Sequence, residues 1–310
     1  MMVPDLSLTI AGMTMQNPVG VASGTFGFGQ EYGQLIDLDR LGALYTKAVT
    51  LEPREGNPPP RLFETPEGLL NSIGLANPGV SVFVREKLPF LRTLRCAVVV
   101  NVAGSTEDEY CHVIQNIEEE AGSARNGVGG YEINVSCPNV SHGGMAFGTE
   151  PAQVERLTAK LRTLTTRPLF VKLSPNVTDI GAIAAAAEQG GADALTCINT
   201  VVGMAIDTER LEPRLSRGTG GLSGPAIRPI GVACVWKAAR AVRIPIIGCG
   251  GIATADDAIQ YLLAGASALQ VGTALFVDPD APVHILEGIA AWMQRKNVAT
   301  FAEIPRLLKD

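Results

Sequence analysis

Cysteine and histidine are scarce in this sequence of 310 residues, and their scarcity excludes several kinds of site. There are six cysteines and three histidines, and no two cysteines lie within four positions of each other. A local Cys-x-x-Cys cradle for zinc or an iron–sulfur cluster is therefore absent, and a secreted disulfide framework is not indicated. We expect no metal site in this chain, and we expect the protein to work in a reducing cytoplasm.

Charged residues and long apolar runs are also few. Only 18% of the residues are charged, and the net charge is −6, so there is no basic footprint for nucleic acid or an anionic membrane. The most apolar segments, such as 181–198, are interrupted by charge or glycine before the ~18 residues that a membrane span needs. The N-terminus has neither a basic region nor an apolar core, so we expect no signal peptide. Nucleic-acid and membrane partners are both predicted to be absent.

Eight short apolar runs rich in β-branched residues recur along the chain, with amphipathic helical stretches between several of them. The runs cover 17–23, 43–49, 97–104, 131–136, 168–174, 194–200, 244–251 and 268–274. Apolar strands that alternate with helices indicate a parallel sheet buried on both faces. Eight such units are the number in a (β/α)8 barrel. The sequence therefore predicts an α/β fold, a (β/α)8 TIM barrel, as a single domain over residues 1–310.

Three further segments lie outside this alternation. Residues 6–18, "LSLTIAGMTMQNP", read as an N-terminal β-hairpin that closes the N-terminal end of the barrel. The connections 50–96 and 201–243 are longer than a helix needs and are rich in glycine and proline. We interpret both connections as elaborated loops at the C-terminal face of the barrel and not as separate domains.

Polar residues follow the ends of several predicted strands, where the loops of barrel enzymes converge. They include two lysines and three asparagines: Lys47, Lys172, Asn101, Asn134 and Asn199. Neutral amides that both donate and accept hydrogen bonds suit a ring with alternating N–H and C=O groups, such as a pyrimidine. Lys172 is either a salt-bridge residue or a fixed cation beside a group that accumulates negative charge, for which a reduced flavin is one candidate.

Glycine-rich turns follow the last two strands, at Gly250-Gly251 and at Gly272-Thr273. Glycine lets backbone N–H groups approach an anion, and the following helix N-terminus adds its positive end, so these turns predict a phosphate site. The stretch "GCGGIA" also fits a dinucleotide fingerprint, which requires an acidic residue some 20 positions later. No Asp or Glu occurs between Asp257 and Asp278, so the barrel phosphate site is favoured.

Cys137 lies between Asn134 and Asn139 in the stretch "EINVSCPNVSHGG". A cysteine nucleophile would need a histidine and an orienting group, and the neighbouring His142, beside two glycines, is poor support for that role. Ligands for a metal do not converge on the thiol. The remaining functional interpretation is a general base at the edge of an amide-rich pocket.

At these residues the sequence resembles class 1 dihydroorotate dehydrogenases over nearly its whole length. The motifs that carry the resemblance include "NPVGVASGTFGFG", "NSIGLANPG", "EINVSCPNV", "VKLSPN" and "PIIGCGGI". The stretches "TLEPREGNPPPR" and "TGGLSGPAIRP" resemble class 1B, the catalytic FMN subunit of the NAD-linked enzyme. The resemblance implies a barrel with one FMN per chain that oxidises (S)-dihydroorotate to orotate in pyrimidine biosynthesis.

The resemblance also implies roles for individual residues. Cys137 would be the base that takes the C5 proton, while C6 gives a hydride to flavin N5. The substrate would be held by Lys47, Asn71, Ser72, Ile73, Gly74, Leu75, Asn134, Asn139, Asn199 and Thr200. FMN would be held by Ser23, Lys47, Ala48, Asn101, Asn134, Lys172, Ile198, Gly224, Gly250, Gly251, Gly272 and Thr273.

In class 1B, electrons leave FMN through a [2Fe-2S] cluster and FAD on a partner subunit to NAD+. This chain has no cysteine cluster and no complete dinucleotide fingerprint, so the partner would supply both groups. The resemblance implies a homodimeric core that carries such subunits as a heterotetramer. Three alternatives remain: a class 1A homodimer linked to fumarate, a flavin-binding subunit without activity, and a barrel lyase or isomerase. In the last, the glycine turns bind a substrate phosphate and Lys172 is the base or Schiff-base amine.

Overall fold

The computed structural model describes residues 4–122, 127–136 and 147–309. Its strands in chain order are β1 (Leu8–Ile10), β2 (Met13–Met15), β3 (Val19–Val21), β4 (Ala43–Tyr45), β5 (Leu62–Thr65), β6 (Gly68–Asn71), β7 (Ala97–Val102), β8 (Gly130–Asn134), β9 (Leu169–Leu173), β10 (Ala194–Cys197), β11 (Val201–Met204), β12 (Ile206–Asp207), β13 (Glu212–Pro213), β14 (Thr219–Ser223), β15 (Ile246–Cys249) and β16 (Ala268–Val271).

The described helices are α1 (Val80–Val82), α2 (Leu88–Leu91), α3 (Glu107–Ala121), α4 (Pro151–Arg162), α5 (Ile180–Gln189), α6 (Arg228–Ala241), α7 (Ala255–Leu263) and α8 (Ala281–Lys296). A π-helical segment, Phe83–Lys87, joins α1 to α2. No helix in the described part of the chain combines the length and hydropathy that a membrane span requires.

Eight parallel strands close into a barrel in the order β10-β15-β16-β3-β4-β7-β8-β9. Seven of them fall within one of the eight apolar runs, and β8 begins one residue before its run, at Gly130, so the predicted (β/α)8 barrel is confirmed. Helices α3 to α8 follow strands of this barrel, and their buried faces join one continuous core with the outward side chains of the strands. Because parallel strands share one direction, their carboxyl ends meet at one face of the barrel.

The N-terminal hairpin closes the opposite end of the barrel, as predicted. Strands β1 and β2 pair antiparallel, and Ile10, Met13 and Met15 are buried against a cluster inside the barrel. We call the inward side chains of this cluster the apolar layer: Ala43, Tyr45, Val99, Phe170, Ala194, Ile247 and Ala268. Several of them are the first residues of their strands, which places the apolar layer at the amino ends of the strands.

The two long connections contain more regular structure than the predicted loops. Strands β5 and β6 of the first connection and β11 and β14 of the second form one antiparallel sheet in the order β11-β14-β6-β5. Asn71 lies opposite Gly221 in this outer sheet, and a Cβ at Gly221 would meet Thr200 Oγ1 at 2.1 Å. Only a glycine fits at position 221 beside Thr200. Because Thr200 follows β10 by three residues, this contact packs the outer sheet against the carboxyl end of β10.

Candidate functional site

A layer of polar side chains lies inside the barrel, and its centre is Glu132 on β8. This carboxylate is fully buried, with 0% of its surface exposed. Oε1 accepts hydrogen bonds from Asn101 Nδ2 at 2.7 Å and from Lys172 Nζ at 3.5 Å. Oε2 accepts from Gln270 Nε2 at 2.6 Å and from Thr196 Oγ1 at 2.8 Å. Four strands therefore contribute one donor each to a single carboxylate, and we call these five residues the polar layer.

The alternation of side chains along each strand produces this arrangement. Successive residues of a strand point to opposite faces, so residues two apart share a face. Lys172 and Phe170 are two apart on β9, and Phe170 belongs to the apolar layer. Asn101 lies directly opposite Glu132 in the ladder between β7 and β8. The polar layer thus lies one step nearer the carboxyl ends of the strands than the apolar layer.

The charges of the polar layer are balanced. Burial is the largest influence and alone would lower the pKa of Lys172, but the Glu132 charge, the nearby Cys249 and the hydrogen bond to Glu132 together outweigh it, and the net result is a raised pKa. Lys172 Nζ also donates to Gln270 Oε1 at 3.2 Å. Burial raises the pKa of the Tyr45 hydroxyl and of the Cys249 thiol, which lie close to the pair. The Tyr45 and Cys249 groups therefore stay neutral near pH 7 and leave one cation facing one anion.

Asn101 has a free acceptor. Its Nδ2 is committed to Glu132, whereas its Oδ1 is buried and has no hydrogen-bond partner among the described residues. Leaving a buried carbonyl oxygen unpaired costs about 1–3 kcal/mol, so such an atom in a native protein requires an explanation. A ligand that presents an N–H group would satisfy it.

Amides also meet at the ends of β8 and β10. Asn199 Nδ2 donates to Asn134 Oδ1 at 3.1 Å and to Ser136 Oγ at 2.9 Å. Asn199 Oδ1 accepts from the Thr200 N–H at 2.9 Å. These side chains are half-buried, so the predicted residues Asn134, Asn199 and Thr200 form one cluster. Cys137 and Asn139, which follow this cluster in sequence, lie outside the described residues.

The stretch from Asn71 to Leu75 reaches the barrel from the outer sheet. Asn71 Nδ2 donates to the Gly221 carbonyl at 3.1 Å, and both Gly74 and Leu75 have positive φ, at 74° and 57°. This turn seats Leu75 against Ala48 and Ala103, which follow β4 and β7. It therefore lies beside the predicted pair Lys47-Ala48.

Lys47 is a second cation near this face. Its side chain is half-buried, and burial lowers its pKa. The carboxylate of Glu31 opposes that decrease and the charge of Arg61 adds to it. Burial makes the charged form of Lys47 less stable, and a bound anion would stabilise that form again. Lys47 is therefore suited to bind an anionic ligand.

The glycine turns after β15 and β16 lie beside each other. A Cβ at Gly251 would meet the Gly224 carbonyl oxygen at 2.6 Å, and Thr273 Oγ1 donates to Ser223 Oγ at 2.8 Å. A Cβ at Gly272 would lie 3.3 Å from Ala22 Cβ. The predicted residues Ser23, Gly224, Gly251, Gly272 and Thr273 therefore belong to one region.

Two more of the predicted residues border the same turns. The Ile198 N–H donates to the Cys249 carbonyl at 2.7 Å, and a Cβ at Gly250 would lie 3.3 Å from Ile198 Cγ1. Helix α7 begins close by, with a capping box between Thr254 and Asp257 at its N-terminus. The Asp257 carboxylate already accepts from the Ala253 and Thr254 N–H groups at this helix N-terminus, so the glycine turns themselves are the candidate for a phosphate site.

Sequence reasoning missed the residue at the centre of this site. Glu132 is two positions before Asn134 in the strand "YEIN", and Gln270 is the only polar residue in the strand "ALQV". A lone charged residue in the middle of an apolar strand was the available signal, because a strand buried on both faces has no solvated side for it.

Comparisons with known proteins agree on one family. The family model described as dihydroorotate dehydrogenase matches residues 5–293. The chain is 48% identical over 305 residues to a protein of Thermoanaerobacter pseudethanolicus named dihydroorotate dehydrogenase B (NAD(+)), catalytic subunit. The alignment covers 98% of this chain and 99% of that protein.

A second relative carries a different name. The chain is 49% identical over 308 residues to a protein of Solibacter usitatus provisionally named dihydroorotate dehydrogenase A (fumarate), with 99% of this chain and 100% of that protein covered. Among solved structures, the fold is similar to a dihydroorotate dehydrogenase of Eimeria tenella crystallised with ferulenol. The TM-score is 0.81 at 23% identity, and the match covers 97% of this chain and 87% of that one.

Proposed function

Because the chain belongs to the dihydroorotate dehydrogenase family, we propose that it is the FMN-containing catalytic subunit of an enzyme that oxidises (S)-dihydroorotate to orotate in pyrimidine biosynthesis. The observation that carries the proposal is the polar layer, which offers the unpaired acceptor Asn101 Oδ1 and the Lys172 cation at the barrel centre. Relatives of the same length support it. We also propose that residues 1–310 form one domain and that the protein is cytoplasmic.

The residues present fit FMN. Its ring carries an N–H that would satisfy Asn101 Oδ1, and the turns at Gly250-Gly251 and Gly272-Thr273 would hold its phosphate. When bound, FMN supplies the hydride acceptor for the oxidation. The Lys172 ammonium would stabilise negative charge at the barrel centre, because a fixed cation in a site with little water acts strongly.

The substrate is an anion with a pyrimidine ring, and the remaining residues suit it. Lys47 would hold the carboxylate, and the amides of Asn71, Asn134 and Asn199 would hold the ring groups. Cys137 would take the C5 proton. A thiol has an ordinary pKa of ~8.5, so near neutral pH a larger fraction of a cysteine than of a serine is in the deprotonated form that can accept a proton.

We propose NAD+ as the final acceptor, through a partner subunit with a [2Fe-2S] cluster and FAD, in a heterotetramer built on a homodimeric core. The name of the Thermoanaerobacter relative supports this, and the name of the Solibacter relative favours fumarate instead. Purification from the native source tests the choice. We expect an iron–sulfur flavoprotein to copurify and dihydroorotate to reduce NAD+, whereas a lone dimer that reduces fumarate would contradict it.

Replacing Gly272 with valine is expected to weaken FMN binding at least about tenfold, equivalent to about 1.4 kcal/mol. The first atom of the new side chain would lie 3.3 Å from Ala22 Cβ, a tight contact that a shift of a few tenths of an ångström relieves, and the branches would fill the proposed phosphate cradle. Quenching of FMN fluorescence by the apoprotein measures the dissociation constant. Gly33→Val is the control, because the nearest atoms to a Cβ at Gly33 lie at 3.7 Å, an ordinary van der Waals distance. Equal FMN affinity in Gly272→Val and wild type would contradict the phosphate assignment.

The affinity for orotate is expected to fall as the pH rises through the lowered pKa of Lys47. Lysine carries its charge only below its pKa, and burial moves the loss of that charge to lower pH. The Lys47→Arg variant keeps its charge throughout. The ratio of the two dissociation constants, measured at each pH, cancels any titration of orotate. With increasing pH we expect orotate to bind progressively more weakly to the wild type than to the arginine variant. A ratio that stays constant would show that Lys47 does not bind the carboxylate.

A further inference from the structure

Glu132 is a charged group that the proposed reaction does not use, although it lies at the centre of the polar layer. We propose that Glu132 is a positioning residue, which fixes the Lys172 ammonium and the Asn101 amide in the arrangement in which they meet the flavin. The inference rests on the proposed function, because it assigns a role toward FMN. It is carried by the contacts of the carboxylate, by its burial and by the charges around it.

The contacts require an ionised carboxylate. Both oxygens of Glu132 accept two donors each, from Asn101 and Lys172 at Oε1 and from Gln270 and Thr196 at Oε2. Only an acceptor without hydrogens of its own satisfies four donors in this way. A glutamine at position 132 would direct N–H groups at one pair of these donors, so at least one hydrogen bond would be lost.

Glu132 also decides which atom of Asn101 remains available. Its Oε1 accepts from Asn101 Nδ2 at 2.7 Å, and this bond fixes the orientation of the amide. The Asn101 atom without a partner is consequently Oδ1, an acceptor. Without the carboxylate the amide is free to rotate by half a turn, and it would then present N–H groups where the flavin requires an acceptor.

The charge of Glu132 acts on Lys172. The titratable groups that face the pair are Tyr45 from β4 and Cys249 from β15, and burial raises the pKa of both. The neighbours from β7, β10 and β16 are the neutral side chains of Asn101, Thr196 and Gln270. Among the described residues, Glu132 is therefore the anion that keeps the buried Lys172 protonated, because a buried lysine without a partner loses its proton near neutral pH.

The Glu132→Gln variant tests both effects, and the first readout needs no flavin. Lysine labelled with carbon-13 at Cε gives one NMR signal for each of the seven lysines, and Lys172→Arg identifies the signal of Lys172. We expect this signal in the wild-type apoprotein to stay at the charged position from about pH 6 to about pH 9. In Glu132→Gln we expect it to titrate within that range. A Lys172 signal that stays charged in the variant would overturn the proposal.

The second readout is FMN affinity, which we expect Glu132→Gln to weaken at least tenfold. Failure of the wild type to bind FMN would overturn the proposed function, whereas wild-type FMN affinity in Glu132→Gln would overturn only the role of Glu132. If the variant does not fold, the NMR titration of the wild-type apoprotein still tests the proposal. A wild-type Lys172 signal that titrates below about pH 9 would show that Glu132 does not keep Lys172 protonated.

A carboxylate with a purely structural role provides the matched control. Glu118 on α3 accepts from Tyr131 Oη at 2.9 Å and from Arg167 Nε at 3.0 Å, outside the polar layer. We expect Glu118→Gln to lower stability but to leave both the Lys172 titration and FMN affinity unchanged. If Glu118→Gln shifted both readouts as Glu132→Gln does, the two carboxylates would share a structural role and the proposal would fail.

Discussion

Replacing Cys137 with serine is expected to slow the reduction of the bound flavin by dihydroorotate about 100-fold or more, while FMN stays bound. The reason is the fraction of the side chain that is deprotonated and can accept the proton. A thiol has an ordinary pKa of ~8.5, whereas a serine hydroxyl hardly ionises at any pH at which the protein stays folded. Rapid mixing without oxygen, followed by flavin absorbance, measures the rate directly.

Cys234→Ser is the control for this experiment. Cys234 is a free, half-buried thiol on α6, and burial raises its pKa. The same change of sulfur to oxygen there is expected to leave the rate unchanged. An equal rate in Cys137→Ser and wild type would show that Cys137 has no role in proton transfer.

Replacing Lys172 with methionine is expected to lower the free energy of unfolding of the apoprotein by about 3–5 kcal/mol. The change leaves the Glu132 charge buried with only neutral donors, and an uncompensated buried charge is costly. The Glu132 side chain is fully buried and the Lys172 side chain is 7% exposed, so water does little to screen the pair. Denaturant unfolding of the apoprotein measures the loss.

The double variant Lys172→Met with Glu132→Gln separates the ion pair from the packing of the lysine stem. We expect it to recover much of the lost stability, because no charge remains to be compensated. Losses that simply add in the double variant would show that the two side chains do not interact. A Lys172→Met variant as stable as the wild type would contradict the buried ion pair itself.

The same geometry weighs against the barrel lyase or isomerase. A Schiff-base or general-base lysine must reach the substrate with a neutral amine at some stage. Lys172 is paired with Glu132 and Gln270, and its pKa is raised, which favours the charged form. The structure therefore suits Lys172 as a fixed cation.

Much of the fold could be predicted because its pattern is local. The eight strands were visible as apolar runs, and the N-terminal hairpin as two alternating segments around Ala11-Gly12. The outer sheet was not visible, because its strands pair across the chain, with Leu70 opposite Leu222. Glycine and proline in both connections also conceal the alternation that marks a strand.

The site could be predicted only in part, for the same reason. Residues that end strands were found from their position alone, as with Asn134 and Lys172. Glu132 and Gln270 were not found, because their partnership depends on which residues of separate strands face inward at one level of the barrel. Cys137 and Asn139 lie outside the described residues, so their roles stay predictions.

Single-turnover oxidation of dihydroorotate tests the central claim most directly. The purified chain, loaded with FMN and mixed with (S)-dihydroorotate in the absence of oxygen, is predicted to lose its yellow colour. It should form one orotate for each FMN, with no other oxidant present. A protein that binds no FMN, or that keeps its colour and forms no orotate, would contradict the account.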